Sequence, residues 1–143
     1  MNTITHVLPE MLALVGCLCL TLALVLAWCL AGVRSSSVMK RWFPSYQYLL
    51  KAHIDFLMMT GLLFVFFLLF AHFGVTPPVF VVIAMSFGSM ANPLGFLALA
   101  IKPDMSQRPG SAFGAIMASC FVVTTIGYGG AAWTVARAVI LGV

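Results

Sequence analysis

The chain is built from apolar runs longer than a soluble fold uses. No acidic or basic residue occurs from Met11 to Val33, from Pro78 to Ile101, or from Ser111 to Ala136. A further run, Ala52 to Phe73, carries only His53, Asp55 and His72. Each run has roughly the 20 residues that take a helix across a bilayer core. The sequence has 143 residues, is 63% hydrophobic and only 7% charged, with a mean hydropathy of +1.14. A water-soluble domain of that size has too little interior to hide so much apolar surface. The expected fold is therefore all-α, an integral membrane four-helix bundle. One domain over residues 1–143, without repeats, is expected to hold spans near 11–33, 52–73, 78–101 and 111–136. Pro77 and Pro78 in "GVTPP" cannot continue a helix but can start one, so a tight turn is expected there. "KPDMSQRPG" (Lys102 to Gly110) reads as a polar loop.

The basic residues are unevenly placed. Arg34, Lys40, Arg41 and Lys51 fall in or beside the first loop, and Lys102 and Arg108 in the third. These two loops share a side, and the positive-inside rule assigns that side to the cytoplasm, leaving both termini external. The net charge of +4 follows from this bias and gives no reason to expect nucleic-acid binding. The first loop also carries Trp42, Phe43, Tyr46 and Tyr48, a mixture suited to the headgroup layer. An interfacial anchor is the plain reading, and a substrate gate the alternative. The amino-terminal run has no basic region before it and is too long for a typical cleavable signal.

Several polar or unusual residues have modest explanations. Cys17, Cys19, Cys29 and Cys120 show no metal-ligand spacing and read as small buried hydrophobes. "TTIGYGG" (Thr124 to Gly130) matches a potassium-channel filter in letters. Too few residues follow it to form the inner helix that a filter needs. Small-residue packing along Gly110, Gly114, Ala118, Gly127 and Ala131 is the preferred account, with a polar lining role as the alternative. His53 and Asp55 are two residues apart, about 200° around a helix, so they cannot clamp one metal ion. Asp55 has Lys51 four residues earlier as an expected ion-pair partner. His53 shares its face with Leu57, Thr60, Gly61 and Phe64. His72 lies about 30 Å further along the helix and reads as interfacial.

The layout of a long aromatic first loop, "KAH" (Lys51 to His53) opening the second span, "MTG" (Met59 to Gly61), "NPLGF" (Asn92 to Phe96) and "IGY" (Ile126 to Tyr128) resembles styrene oxide isomerase and the related hydroxylaminobenzene mutases. The resemblance implies a homotrimer of a bacterial inner membrane, with haem b at a subunit contact. It also implies His53 as the axial ligand of the iron, which acts as a Lewis acid on an epoxide oxygen. On that expectation Trp42, Phe43 and Tyr46 cover the porphyrin, and Lys40, Arg41 and Lys51 meet its propionates. Thr60 and Gly61 leave room for the ring.

The chain departs from those isomerases where they place an asparagine after the histidine, and an aspartate and a tyrosine in the third span. Met59 or Thr60 stands at the first position, and Phe96 and Leu97 near the tyrosine's. Asn92, Ser89 and Ser86 are the candidates for a replacement polar wall. Asn92 precedes Pro93, which leaves a helix carbonyl free, and an amide that stabilises that kink is the rival account. Two functions follow. One is haem-dependent isomerase-type chemistry on a small apolar substrate drawn from the bilayer. The other is a non-catalytic accessory subunit of a larger complex.

Overall fold

A computed structural model describes residues 3–106 and 111–142, with the backbone alone for residues 3–8 and 106. Five α-helices follow in order: α1 (Thr3–Ser35), a short α2 (Ser37–Trp42), α3 (Tyr46–Phe73), α4 (Val79–Ile101) and α5 (Ala112–Leu141). A 3-10 helix at Pro103–Ser106 fills part of the third loop. Among the described residues there is no strand. Among the described residues four helices are long and apolar enough to cross a membrane, and the fold is the expected all-α membrane four-helix bundle. Arg108 and Gly110 lie outside the described residues.

The spans differ from expectation at their ends. α3 begins at Tyr46, so the aromatic end of the first loop is already helical. His53 consequently lies about 10 Å, or two turns, into that helix. α5 continues through Arg137 to Leu141, where Gly142 closes it with φ of 64°. Gly74 caps α3 in the same left-handed conformation, φ 63°, which a side chain would resist. Pro78 then stands at the N-cap of α4, whose first N–H groups need no intrahelical acceptor.

The helices pack in a chain of neighbours. α1 lies on α3, α3 on α4, and α4 on α5, while α1 also touches α4. The contact of α5 with α3 is thin. Half of an 18-residue apolar stretch of α4 is buried but only 17% of the like stretch of α5, so α4 is the hub and α5 an outer helix. Along α3, Leu49, Ala52, Phe56, Leu63 and Phe70 form the buried stripe. They recur at intervals of three, four and seven, the spacing of one helix face.

Small residues set the approach of α4 to α5. A Cβ on Gly127 would stand 2.6 Å from the Met85 backbone nitrogen, and one on Gly88 would stand 2.8 Å from the Thr124 Cα. The "TTIGYGG" segment is thus a stretch of continuous helix pressed against α4, and the packing account holds for Gly127 and Ala131. Among the described residues Gly114 and Ala118 are exposed and pack against no helix of this chain. Cys17 is exposed too, unlike Cys19 and Cys120, so burial does not explain all four cysteines.

Gly127→Ala forces two backbones apart and is expected to lower stability by about 1–3 kcal/mol. Gly129→Ala, with open space around its Cβ, should be neutral or slightly stabilising. Unfolding midpoints in detergent compare the two, and equal midpoints would refute this account of the seam.

Candidate functional site

The polar residues of the spans gather in one layer of the bundle. It begins at Pro93, which has no N–H to give the carbonyl four residues earlier. That carbonyl belongs to Ser89, and the Cys19 thiol of α1 reaches it at 3.8 Å. Cys19 Sγ also lies 3.5 Å from the Met90 sulfur. The Ser89 hydroxyl pairs with the Tyr128 hydroxyl of α5 at 2.7 Å. Tyr128 in turn reaches the Met59 sulfur of α3 at 3.8 Å, and its ring packs 5.8 Å from that of Phe66. One turn along the α4–α5 seam, Asn92 Nδ2 donates to Thr124 Oγ1 at 2.9 Å, and Thr124 donates to the Cys120 carbonyl at 2.7 Å. Four helices are therefore joined by side chains that lipid could not have satisfied.

His53 stands on the other flank of α3. Its Nδ1 lies 2.9 Å from the carbonyl oxygen of Ala23, one helical turn beyond Cys19 on α1. A carbonyl only accepts, so in the neutral ring the proton sits on Nδ1 and Nε2 keeps its lone pair. The face beyond it is open: Leu57 and Gly61 are exposed, and a Cβ on Gly61 would meet nothing within 4 Å. Thr60 behaves differently from expectation. It is buried, donates to the Phe56 carbonyl at 2.8 Å and reaches the Gly16 carbonyl at 3.5 Å. It belongs to the α1–α3 seam and leaves no room for a planar group.

Asp55 shares its face of α3 with Met59 and Phe66, the residues that reach Tyr128. The ion pair expected with Lys51 does not form among the described residues. Lys51 extends instead over the Tyr48 ring, its nitrogen 5.3 Å from the centroid. A long cationic stem reaches outward along apolar surface more easily than a short carboxylate can follow it. Arg34 covers the Tyr46 ring in the same way, at 5.6 Å, so Tyr46 is already engaged. Trp42 is 69% exposed, and Lys40 and Arg41 are exposed beside it. His72 is exposed, edge-on to Phe73 at 4.9 Å.

Among the residues singled out by sequence, Ser89 and Asn92 lie together in the α4–α5 seam, not on the flank of His53. Ser86, beside them on α4, has the one buried side-chain oxygen without a partner among the described residues. Cys19 was expected only as a small buried hydrophobe, and Thr124 and Tyr128 had a polar lining role only as the alternative to packing. Their spacing held a clue: Thr124 and Tyr128 are four apart on one helix, opposite Ser89 and Asn92, three apart on another.

The Ser89–Tyr128 pair has a measurable worth. Ser89→Ala and Tyr128→Phe should each cost about 1 kcal/mol, and a double-mutant cycle should return a coupling of about 0.5–1.5 kcal/mol. Strict additivity in unfolding experiments would mean that the bond contributes nothing.

Comparison with protein-family models, with curated proteins and with solved structures finds no match to this chain, so its site is read from its own residues.

Proposed function

We propose that this protein binds haem b through His53 and performs isomerase-type chemistry on a small apolar substrate, such as an epoxide, taken from the bilayer. The observation that carries the reading is the Nδ1 contact with the Ala23 carbonyl at 2.9 Å. Metal-ligating imidazoles characteristically give their other N–H to such an acceptor, which fixes the ring and raises the basicity of the free nitrogen. The donor set also suits a porphyrin. No group of three His, Cys, Asp or Glu side chains able to hold a metal ion occurs among the described residues. A lone imidazole serves a metal whose remaining ligands come with the cofactor. Gly61 on the exposed face admits a flat group. Arg41 and Lys40, whose side chains make no bond or ion pair among the described residues, are the cations for its propionates. Trp42 is the aromatic cover beside them.

When bound, the haem supplies a ferric Lewis acid for an oxygen of the substrate. The chain's own part is to hold and orient. His53 anchors one flank of α3, while Ser89 and Tyr128 fix a pair of hydroxyls in the interior beyond the other. Asn92, its amide spent on Thr124, steadies the helix before Pro93. The open flank of His53 suits a neighbouring copy in a homotrimer. The first and third loops face the cytoplasm of a bacterial inner membrane, in keeping with their cations.

The purified protein should show a Soret band. His53→Ala should abolish it, while Asp55→Asn and His72→Ala leave it in place. A wild-type protein that stays colourless after hemin is added, or a band that outlives His53, ends the proposal. Orientation is tested separately. A reporter active only in the cytoplasm, fused after Val143, should be silent, and strong activity would invert the topology.

A further inference from the structure

At the end of the bundle that carries the second loop, a cavity of about 490 Å³ opens between the Phe73–Pro78 segment and the last turns of α5. Val75, Thr76, Trp133, Thr134, Arg137 and Leu141 are among its walls. It lies at the opposite end from the basic loops and shares no residue with the layer around Ser89 or with His53.

Arg137 is the unusual member. The sequence has seven Lys and Arg residues, and the other six fall on the first and third loops or their margins. Arg137 alone stands at this end. Its side chain makes no hydrogen bond, ion pair or ring contact among the described residues. Trp133, Arg137 and Leu141 follow at intervals of four, so the guanidinium is set in an aromatic and aliphatic stripe of α5. Thr134 donates to the Gly130 carbonyl at 2.8 Å and has only acceptor capacity left. The side-chain donors of the cavity are therefore Arg137, Thr76 and the indole N–H of Trp133.

A planar guanidinium with its donors unspent is suited to phosphate or carboxylate, which it can meet with two parallel bonds. The remaining walls are apolar and lie at the end of a membrane span, so a ligand that also carries a hydrocarbon chain gains more than a free anion does. The volume falls in the ordinary range of small-molecule sites, about 300–1,000 Å³. We propose that this cavity seats an anionic membrane phospholipid, with its phosphate on Arg137 and Thr76 and the upper part of a chain along Trp133 and Leu141.

The rival is an arginine that merely reaches the headgroup layer, without a site. Native mass spectrometry of the delipidated full chain separates the two, with phosphatidylglycerol, phosphatidylcholine and inorganic phosphate as probes. The wild type should hold phosphatidylglycerol at about tenfold lower concentration than phosphatidylcholine, whose phosphate is the same but whose choline cation offsets that charge beside Arg137. Arg137→Gln should erase that preference. Val75→Trp, which fills the cavity and keeps the arginine, should weaken phosphatidylglycerol binding to a similar degree. Leu141→Trp fills it from the other wall should Val75→Trp not fold. Full phosphatidylglycerol binding in Arg137→Gln, or in a folded filled-cavity variant, would leave only the reaching arginine and overturn the proposal. Displacement of the lipid by an equal concentration of inorganic phosphate would overturn it as well, by making the site one for a soluble anion.

Discussion

Hydrocarbon offers no hydrogen bonds, and most of the interior of this protein answers to that fact. Thr21, Ser35, Thr60, Ser119, Thr124, Thr125 and Thr134 each return their hydroxyl to a carbonyl of the preceding turn. Pro93 breaks the rule locally, because a ring nitrogen cannot donate. The repair comes from another helix, through the Cys19 thiol. A defect in one backbone thus becomes a link between two spans. Asn92 and Ser89, on either side of that defect in space, carry the linkage on to α5.

The same constraint separates the two flanks of α3. His53 uses a carbonyl of α1 and thereby defines which nitrogen remains available. Asp55, two residues later, shares its face with Met59 and Phe66, the residues of α3 that reach Tyr128. The two titratable groups serve different surfaces because an α-helix turns them about 200° apart. Phe56, fully buried between those directions, fills the space that divides them.

The four spans were legible because hydropathy and length alone decide them, and the Pro and Gly residues of the second loop fix its turn. The start of α3 was not, since Tyr46, Gln47 and Tyr48 read equally well as interfacial loop. Geometry at His53 was legible as far as its face and no further. Its bond to Ala23 depends on the register of α1 against α3, which no local pattern encodes. For the same reason the lysine four residues before Asp55 suggested an ion pair. Spacing permits that pair, but the Tyr48 ring competes for the cation. Tyr128 was hidden inside a glycine-rich motif whose packing role is real, so a second role for its one hydroxyl gave no separate signal.

α5 rests on α4 and barely on α3, and this arrangement bears on how the protein is made. The first three spans can pair with one another as they leave the ribosome. The α4 they include then enters the bilayer with the Ser89 hydroxyl and the Asn92 amide still unmatched across the seam, an exposure that hydrocarbon penalises. Tyr128 and Thr124 arrive only with the last span. Its docking completes the bonding of the earlier ones, so a nascent chain stalled before it is a natural target for membrane quality control.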